Sequence, residues 1–377
     1  MPDARVTEMQ KRWVRHGMYD EARERRRVRI LLGIAILACV TLLAAVIPSP
    51  FAIERPGPVV DTLGEVSIED ETMPVISVAD VDTFPTTGEL NLLTVSIAGS
   101  PEHPVSWLSL LPALVDPSQR IAPRSEFFPE GVTEKDREAA NTVMMDSSQM
   151  QSAAAAFREL GETVPVELRV AGVSDDGPAE GILRADDIIL EIDGAPVADF
   201  TALRSAVVAA GADVPVSVRI ARDGAEQDVS VTPRLPEGGT EPMLGAVISS
   251  TYELPADVDI SLSEIGGPSA GMIFSIGIYD LLTPGGLLDG LTVSGTGTIT
   301  DEGEVGAIGG LTQKMWAASR AGSDLFVMPV ANCVDLPSRI PSGLTVAPVE
   351  TLAEAISAIE TATAGETPVG VERCDAP

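Results

Sequence analysis

Residues 266–271 read Gly-Gly-Pro-Ser-Ala-Gly, and residues 309–314 read Gly-Gly-Leu-Thr-Gln-Lys. Each stretch joins a glycine-rich turn to the start of an apolar helical pattern, so each predicts a loop that leads into a helix. The first stretch carries Ser269, and the second carries Lys314, one of only three lysines in 377 residues. Lysine can lose its proton when it is desolvated, whereas arginine keeps its charge. Ser269 and Lys314 are therefore a candidate nucleophile and general base.

The residues next to Ser269 suit an attack on a peptide carbonyl. Gly267 lets a substrate backbone come close because it has no side chain, and Pro268 fixes the entry into the following helix. We expect the first N–H groups of that helix, up to Ala270, to hold an oxyanion. To act as the base, Lys314 must be a neutral amine, which burial between apolar segments would favour. Alternatively, Ser269 only caps its helix, and Lys314 extends along the surface to reach water.

Other catalytic chemistries lack the residues that they need. The chain has only two histidines, His16 and His103, and His103 lies in a proline-rich segment without a nucleophile turn. A serine–histidine–aspartate triad is therefore disfavoured. The His-rich and Cys-rich kinds of zinc site need more ligands than the chain offers. No G-x-x-x-x-G-K-[ST] phosphate loop occurs, and we predict no metal, no cofactor and no ATP.

Charge and hydropathy divide the chain into a basic end and an acidic body. The net charge of −31 argues against a nucleic-acid partner. Residues 1–29 carry nine basic and five acidic side chains, a net charge of +4, which leaves −35 for the rest. Residues 30–47 are an uncharged apolar run, near the minimum length for a bilayer span. The positive-inside rule then predicts a single-pass cell-membrane protein whose N-terminus is cytoplasmic and whose later domains are extracytoplasmic. A cleaved signal peptide is the alternative.

Residues 164–235 have a pattern of their own. A strand with alternating polarity is followed by a short helical turn, a second strand, a helix with Asp199 as its N-cap, and two strands joined at Asp223-Gly224. The recurring motifs are Pro178-Ala179, Gly181-Ile182-Leu183, Asp186-Asp187-Ile188-Ile189 and Asp193-Gly194. As an ensemble, this order resembles a bacterial PDZ domain.

The PDZ resemblance implies that the segment binds extended C-terminal peptides by adding a strand to a sheet edge. It places the peptide site in the loop before Val166, at Glu162, Thr163, Val164 and Pro165. The glycine-rich carboxylate loop of many family members is not evident there. A PDZ domain used only as a spacer or gate is the alternative.

Residues 266–322 resemble the proteolytic domain of Lon-type serine–lysine peptidases. The matching motifs are Gly267-Pro268-Ser269-Ala270-Gly271, Thr296-Gly297-Thr298-Ile299-Thr300, Ile308-Gly309-Gly310-Leu311 with Lys314, and Ala317-Ala318 with Arg320-Ala321-Gly322. The resemblance implies that Ser269 attacks the scissile carbonyl, that Lys314 takes the hydroxyl proton, and that Thr296 positions the amine. Family precedent also suggests a homo-oligomer.

The interleaved strands and helices predict the fold class α+β, with an N-terminal transmembrane helix, a PDZ domain and a Lon-proteolytic-type α/β domain. The predicted parts are a cytoplasmic tail (1–29), a transmembrane helix (30–47), a stalk with a possible first part of the proteolytic domain (48–160), the PDZ domain (161–235), the proteolytic domain (236–362) and a tail (363–377). Strand Leu90–Ile97 and helix Ser147–Leu160 are expected to join the proteolytic fold, with the PDZ domain inserted between them and its later strands.

The two cysteines after the apolar run, Cys333 and Cys374, lie in the part predicted to be exported. Export permits a disulfide between them, and two independent thiols are the alternative.

Together these features predict a membrane-tethered, ATP-independent endopeptidase that acts on exported or misfolded proteins, with the PDZ domain recruiting or gating the protein or peptide substrate. The alternative is a catalytically inactive PDZ scaffold that binds protein C-termini at the membrane.

Overall fold

The computed structural model describes residues 4–68, 71–129, 131–236, 239–262 and 267–375. Gly266, the first residue of the serine motif, lies outside these ranges. The chain divides into two compact units, a smaller one of Met1–Gly57 and Val95–Val132 and a larger one of Pro58–Thr94 and Thr133–Pro377.

The helices are α1 (Ala4–Val46), α2 (Leu110–Ala113), α3 (Arg124–Phe127), α4 (Glu134–Glu159), α5 (Phe200–Ala210), α6 (Gly271–Leu282), α7 (Leu311–Ala321) and α8 (Leu352–Thr363). The first strands are β1 (Phe51–Asp61), β2 (Glu65–Ile68), β3 (Glu71–Pro74), β4 (Ile76–Ala79), β5 (Glu89–Ala98), β6 (Arg120–Pro123), β7 (Val166–Val173), β8 (Ile188–Ile192) and β9 (Ala195–Pro196). The later strands are β10 (Val216–Arg222), β11 (Ala225–Val231), β12 (Ala246–Tyr252), β13 (Asp257–Ile260), β14 (Thr292–Gly295), β15 (Thr298–Ile299), β16 (Val305–Gly306), β17 (Leu325–Pro329) and β18 (Thr345–Val349). Helices and strands are mixed throughout, as the predicted α+β class requires.

The smaller unit begins with α1. The segment Arg25–Val46 of this helix is long and apolar enough to cross a membrane, judged by length and composition, and it is not buried in the protein. The predicted span, residues 30–47, falls on this segment. A signal sequence near an N-terminus meets the same criteria.

The rest of the smaller unit is a short antiparallel pair with a small apolar core. β1 pairs with β6 through Phe51 to Glu54. The core is formed by Ile53, Leu110 and Ala113, with Phe51, Ala98, Val105 and Ile121 packed against it. The buried Glu54 carboxylate lies 3.1 Å from the Arg120 guanidinium. Strand β1, which begins in the region predicted to be a stalk, therefore belongs to a sheet.

The larger unit contains a parallel sheet in the order β18, β17, β14 and β5, followed by β1. Every residue of β17 is buried, as parallel strands covered on both faces require. Side chains of β5, α4, α6 and α8 share one apolar core, which includes Leu92, Ala153, Phe274 and Ile356. Strand β5 and helix α4 thus pack with α6, the helix that follows Ser269.

Helix α4 begins thirteen residues before the predicted start at Ser147, because Thr133 and Asp136 form a reciprocal capping box that we did not recognise in the sequence. The early turns of α4 are polar and largely exposed. Hydrophobic periodicity therefore gives no signal for them.

A second sheet in the larger unit has the order β11, β10, β8, β7 and β12. The predicted hairpin is present, and Asp223 and Gly224 both have the positive φ angles that its two-residue turn needs. Asp199 caps α5 through Ala202 N at 2.7 Å, as predicted. One assignment is wrong: the strand at 244–250 was given to the proteolytic part, but β12 pairs with β7 along the full length of both strands.

Candidate active site

Two glycine-rich turns set the candidate nucleophile and base opposite each other. Gly267 has a φ angle of 94°, and the chain then enters a 3₁₀ turn, Pro268–Ala270, that continues directly into α6. Gly310 has a φ angle of 70° and begins α7, which carries Lys314 in its second turn. Both glycines adopt left-handed backbone angles that other residues rarely tolerate. These turns fix the backbone from which Ser269 and Lys314 project.

The Lys314 amine lies between two hydroxyl groups. Its Nζ donates to Ser269 Oγ at 2.9 Å and to Thr296 Oγ1 at 2.9 Å. Lys314 is 2% exposed and Thr296 is fully buried, whereas Ser269 is only partly buried. The structure therefore brings together the three side chains that the sequence singled out, with the serine on the accessible side.

Thr296 also fixes the serine through its backbone. Thr296 Oγ1 donates to the carbonyl oxygen of Ser269 at 3.0 Å, and Gly297 N donates to the same oxygen at 3.0 Å. One threonine thus contacts both the amine and the nucleophile residue. This arrangement restricts the position of Ser269 relative to Lys314.

The residues predicted to contact substrate backbone surround Ser269. The 3₁₀ turn has no side-chain cap, and its residues after Pro268 carry the N–H donors of a helix start. A Cβ atom added to Gly267 would meet no atom of the described residues within 4 Å. Pro268 is partly buried and Ala270 is buried. The oxyanion and substrate-backbone contacts of Gly267, Pro268 and Ala270 stay a prediction.

Sequence reasoning missed three buried serines behind this turn. Ser148 Oγ of α4 donates to the Pro268 carbonyl at 3.2 Å, and Ser152 Oγ lies 2.9 Å from the Gly271 carbonyl oxygen. Ser275 Oγ of α6 donates to the Ser152 carbonyl at 3.0 Å. The carbonyl groups on both sides of Ser269 are therefore held by hydroxyl groups.

Gly271 allows this close approach. A Cβ atom at Gly271 would lie 2.9 Å from Ser148 Oγ and 2.9 Å from the side chain of Ile299. The glycine after the serine in the motif thus has a packing reason in this fold, because α4 and β15 both contact it.

The predicted peptide loop, Glu162–Pro165, leads into β7. This strand pairs with β12 along one edge and with β8 on the other at Leu168 and Arg169. Val164 is buried, and its carbonyl accepts from Arg158 at 3.2 Å. The Pro165 carbonyl accepts from Glu253 N at 3.0 Å, while Glu162 and Thr163 are exposed.

Among the described residues, the edge strands of this sheet are β11 and β12, and β12 is the one next to β7. Met243-Leu244-Gly245-Ala246 precedes β12, and Gly245 has a φ angle of 71°. Leu244, Ala246 and Ile248 belong to the same apolar cluster as Leu203 and Val207 of α5. An apolar–glycine–apolar sequence before an edge strand is the signal that could have located this alternative loop.

Acidic side chains in the turn between β15 and β16 lie next to the start of helix α5. Glu302 hydrogen-bonds Asp199, the N-cap of α5, and this contact raises the pKa of Glu302 to about 7, with burial and the charges of Asp199, Asp301 and Glu304 adding to the effect. Burial raises the pKa of Asp301 against the opposing charge of Arg158, whose Nη1 lies 2.9 Å from it. The turn that leaves the candidate active site is therefore tied to α5 by titratable groups.

Cys333 and Cys374 are joined by a disulfide across 41 residues of sequence. Near Cys374, the Arg373 guanidinium lies 2.7 Å from Glu354 of α8. These contacts attach the C-terminal segment to the larger unit. Among the described residues, no group of three or more His, Cys, Asp or Glu side chains is arranged to hold a metal ion.

Comparisons with known families match two parts of the chain. Residues 263–361 match the family model described as the Lon protease C-terminal proteolytic domain. Residues 134–232 match the PDZ domain family. The chain thus carries a Lon-type proteolytic domain and a PDZ domain, as the resemblances implied.

The chain spans less than a fifth of the length of the curated relatives it matches. Lon protease 1 of Herpetosiphon aurantiacus is 34% identical over 123 residues, which cover 32% of this chain and 15% of the relative. Lon protease of Orientia tsutsugamushi is 38% identical over 86 residues, which cover 22% of this chain and 11% of the relative. Among solved structures, the PDZ domain of an SdrC-like protein from Listeria monocytogenes is 22% identical, covering 22% of this chain and 85% of that chain with a TM-score of 0.21.

Proposed function

We propose that this chain, which carries a Lon-type proteolytic domain together with a PDZ domain, is a membrane-tethered endopeptidase that works without ATP. Its substrates are exported or misfolded proteins, and its PDZ domain recruits or gates them. The observation that carries the proposal is the Lys314 amine held 2.9 Å from Ser269 Oγ and 2.9 Å from Thr296 Oγ1.

In the proposed reaction, the neutral Lys314 amine accepts the Ser269 hydroxyl proton while Oγ attacks the scissile carbonyl carbon. Lys314 then returns the proton to the leaving amine, which leaves an acyl ester on Ser269. Water attacks the ester, gives a proton to Lys314, and releases the acid product and the free serine. Backbone N–H groups of the turn at 267–270 hold the oxyanion, a contribution of about 2.7–4 kcal/mol per donor in acyl transfer.

Two features of the site support lysine as the base. Burial of Lys314 disfavours a charged ammonium group. Its contacts with Ser269 and Thr296 are to hydroxyl groups, which orient the amine.

Peptide cleavage by the purified full chain tests the proposal. Ser269→Ala and Lys314→Ala should abolish turnover, and Lys314→Arg should do the same because arginine does not release its proton. Lys135→Ala is the matched control, since Lys135 is an exposed lysine on α4, and it should cleave like the wild type. Cleavage that persists in Ser269→Ala contradicts the proposal. A chain that cleaves nothing but still binds C-terminal peptides would favour the non-catalytic scaffold.

For substrate recruitment, we place the peptide strand on the free edge of β12. The terminal carboxylate would meet the backbone N–H groups at 244–246. Arg204 of α5 lies 2.6 Å from Glu241, which brings the helix next to this segment. Hydrogen exchange with a peptide in excess should show protection within 246–252, and an amidated copy of the peptide should give none. Equal protection by both peptides, or protection elsewhere, would reject this site.

The extracytoplasmic location rests on two features. Arg25–Val46 has the length and composition of a membrane span, and four arginines lie just before or at its start. The Cys333–Cys374 disulfide lies in the part after the span and requires an oxidising compartment. Protease added outside intact spheroplasts should degrade the part after residue 48, and full protection would contradict this topology.

A further inference from the structure

An apolar surface lies beside the outer end of the proposed membrane span. Residues 104–115 carry no charged side chain. Within them, Trp107, Leu111, Leu114 and Val115 are 44%, 55%, 69% and 83% exposed. We call these four residues the apolar ledge. Soluble proteins seldom expose so many large apolar side chains together unless the surface binds a partner.

The ledge is a fixed surface because its other side is packed. Leu110 and Ala113 on the opposite side of α2 are 6% and 5% exposed, and both pack with Ile53 in the core of the smaller unit. The Phe51 ring lies edge-on to Trp107, with 5.9 Å between ring centroids. Helix α2 is therefore apolar on both sides, although only one side meets protein.

Hydrogen bonds hold the ledge at the last turn of α1. Leu108 N donates to the Ala44 carbonyl at 2.9 Å, and Trp107 N donates to the Ile47 carbonyl at 3.4 Å. Ser49 N donates to the Val105 carbonyl at 2.8 Å. A helix that spans the bilayer through its apolar run ends where the hydrocarbon core meets the headgroups, so the ledge lies at that boundary.

We propose that the apolar ledge inserts into the outer leaflet of the membrane as a second, non-spanning lipid contact. The inference rests on the proposed membrane tether and adds to it. Tryptophan is enriched at the membrane–water boundary, where its ring meets apolar chains and its N–H meets water. Insertion removes Leu111, Leu114 and Val115 from water at the depth where the span leaves the lipid. One helix alone permits rotation and tilt of the attached unit, and a second contact restricts both.

Tryptophan fluorescence in vesicles tests the ledge. The full chain carries Trp13, Trp107 and Trp316, so Trp13→Phe and Trp316→Phe leave Trp107 as the only reporter. This variant is reconstituted into phosphatidylcholine–phosphatidylglycerol vesicles with bromine at a shallow or a deep acyl position. Flotation of the vesicles on a density gradient reports the tether in the same samples. We expect the protein to float and Trp107 to lose more fluorescence with shallow than with deep bromine.

Leu111→Gln with Leu114→Gln, placed in the same background, should weaken the quenching without affecting flotation, because both side chains are exposed and leave the core intact. Leu235→Gln is the matched control, since Leu235 is 53% exposed outside the ledge, and it should leave the quenching unchanged. Protein that floats while Trp107 is unquenched at both depths overturns the ledge and leaves the tether standing. Protein that does not float overturns both.

Discussion

Three buried serines hold the backbone around Ser269. Ser148 and Ser152 lie one turn apart on α4 and contact the carbonyls of Pro268 and Gly271. Ser275 connects α6 back to α4. The position of the nucleophile thus depends on a helix that lies more than a hundred residues away in the sequence.

Removing the Ser148 and Ser152 hydroxyls should slow turnover by letting the serine turn shift. A hydrogen bond of this kind contributes about 0.5–1.5 kcal/mol. Each alanine variant should therefore lower kcat roughly two- to tenfold, with KM nearly unchanged because neither side chain reaches substrate. Steady-state peptide cleavage measures both constants.

Ser147→Ala is the control for this pair, because Ser147 lies on the same helix and is exposed. Its kcat and KM should match those of the wild type. A rise in KM with unchanged kcat in Ser148→Ala or Ser152→Ala would show that these residues affect substrate binding and do not position the nucleophile.

At the residue scale, the sequence identified the candidate catalytic side chains but not the residues that hold their backbone in place. Ser269, Thr296 and Lys314 stand in local motifs, and a rare lysine in an apolar stretch is conspicuous. Ser148 and Ser152 carry no such signal, because a serine on an alanine-rich helix is common and its acceptor becomes its neighbour only through tertiary packing. Glu162–Pro165 stays a prediction as a peptide loop, because it came from the PDZ resemblance and the sequence does not show which strands pair with β7.

At the scale of elements, the turn between β15 and β16 connects the candidate active site with α5. β15 follows Thr296 after one residue, and Glu302 in the turn hydrogen-bonds Asp199 at the start of α5. A change in this contact can therefore affect both elements.

The Glu302–Asp199 contact should depend on pH. The pKa of Glu302 is about 7 in the folded chain, above the ordinary value of 4.5, because Asp199 accepts a hydrogen bond from its protonated form. The contact therefore makes its full contribution to the stability of the folded chain below about pH 4.5, and this contribution is lost as the pH rises through about 7. Between these limits, hydrogen exchange in α5 should become faster in the wild type as pH increases, after correction for the intrinsic pH dependence of exchange.

Glu302→Gln should remove this pH dependence, because an amide donates to Asp199 at every pH in the range. Glu304→Gln is the neighbouring control, because it removes a nearby charge but keeps the Glu302 carboxyl that titrates. Hydrogen exchange in α5 should therefore keep its pH dependence in this variant. If exchange in α5 depends on pH in the same way in the wild type and in Glu302→Gln, that result would contradict the role of this contact.

The turn and the helix cap were predicted correctly where the sequence signal comes from neighbouring residues. The hairpin at Asp223-Gly224 and the cap at Asp199 depend on a few neighbouring residues, and the structure has both. β12 was assigned to the wrong part because its partner, β7, lies about eighty residues earlier. Alternation identifies a strand but does not identify its neighbour in the sheet.

At the scale of the whole molecule, composition and charge predicted a basic end, an apolar run and an acidic body, and the motif resemblances implied two families of domain in that body. The larger unit nevertheless combines β5 and α4 with strands that come after the PDZ segment. A linear list of domains cannot represent this order, because the core residues come from separate parts of the chain.

Loss of the disulfide should destabilise the chain. Cys333 and Cys374 are 41 residues apart, and closing a loop of that size restricts the unfolded chain by roughly 2–4 kcal/mol. Cys374→Ser should therefore lower the unfolding midpoint in denaturant, as followed by circular dichroism. Cys39→Ser, which replaces the free and exposed cysteine, should leave the midpoint unchanged. A midpoint that does not fall in Cys374→Ser would show that the crosslink has no such effect.

The most direct measurement of the central claim is mass spectrometry of the enzyme quenched during turnover of an activated peptide ester. The account predicts an acyl group on the peptide that contains Ser269, with its mass increase located on that residue. The adduct should be absent from Ser269→Ala and form far more slowly in Lys314→Ala. An acyl group on another residue, or cleavage of the ester at the wild-type rate by Ser269→Ala, would contradict a serine–lysine mechanism in this chain.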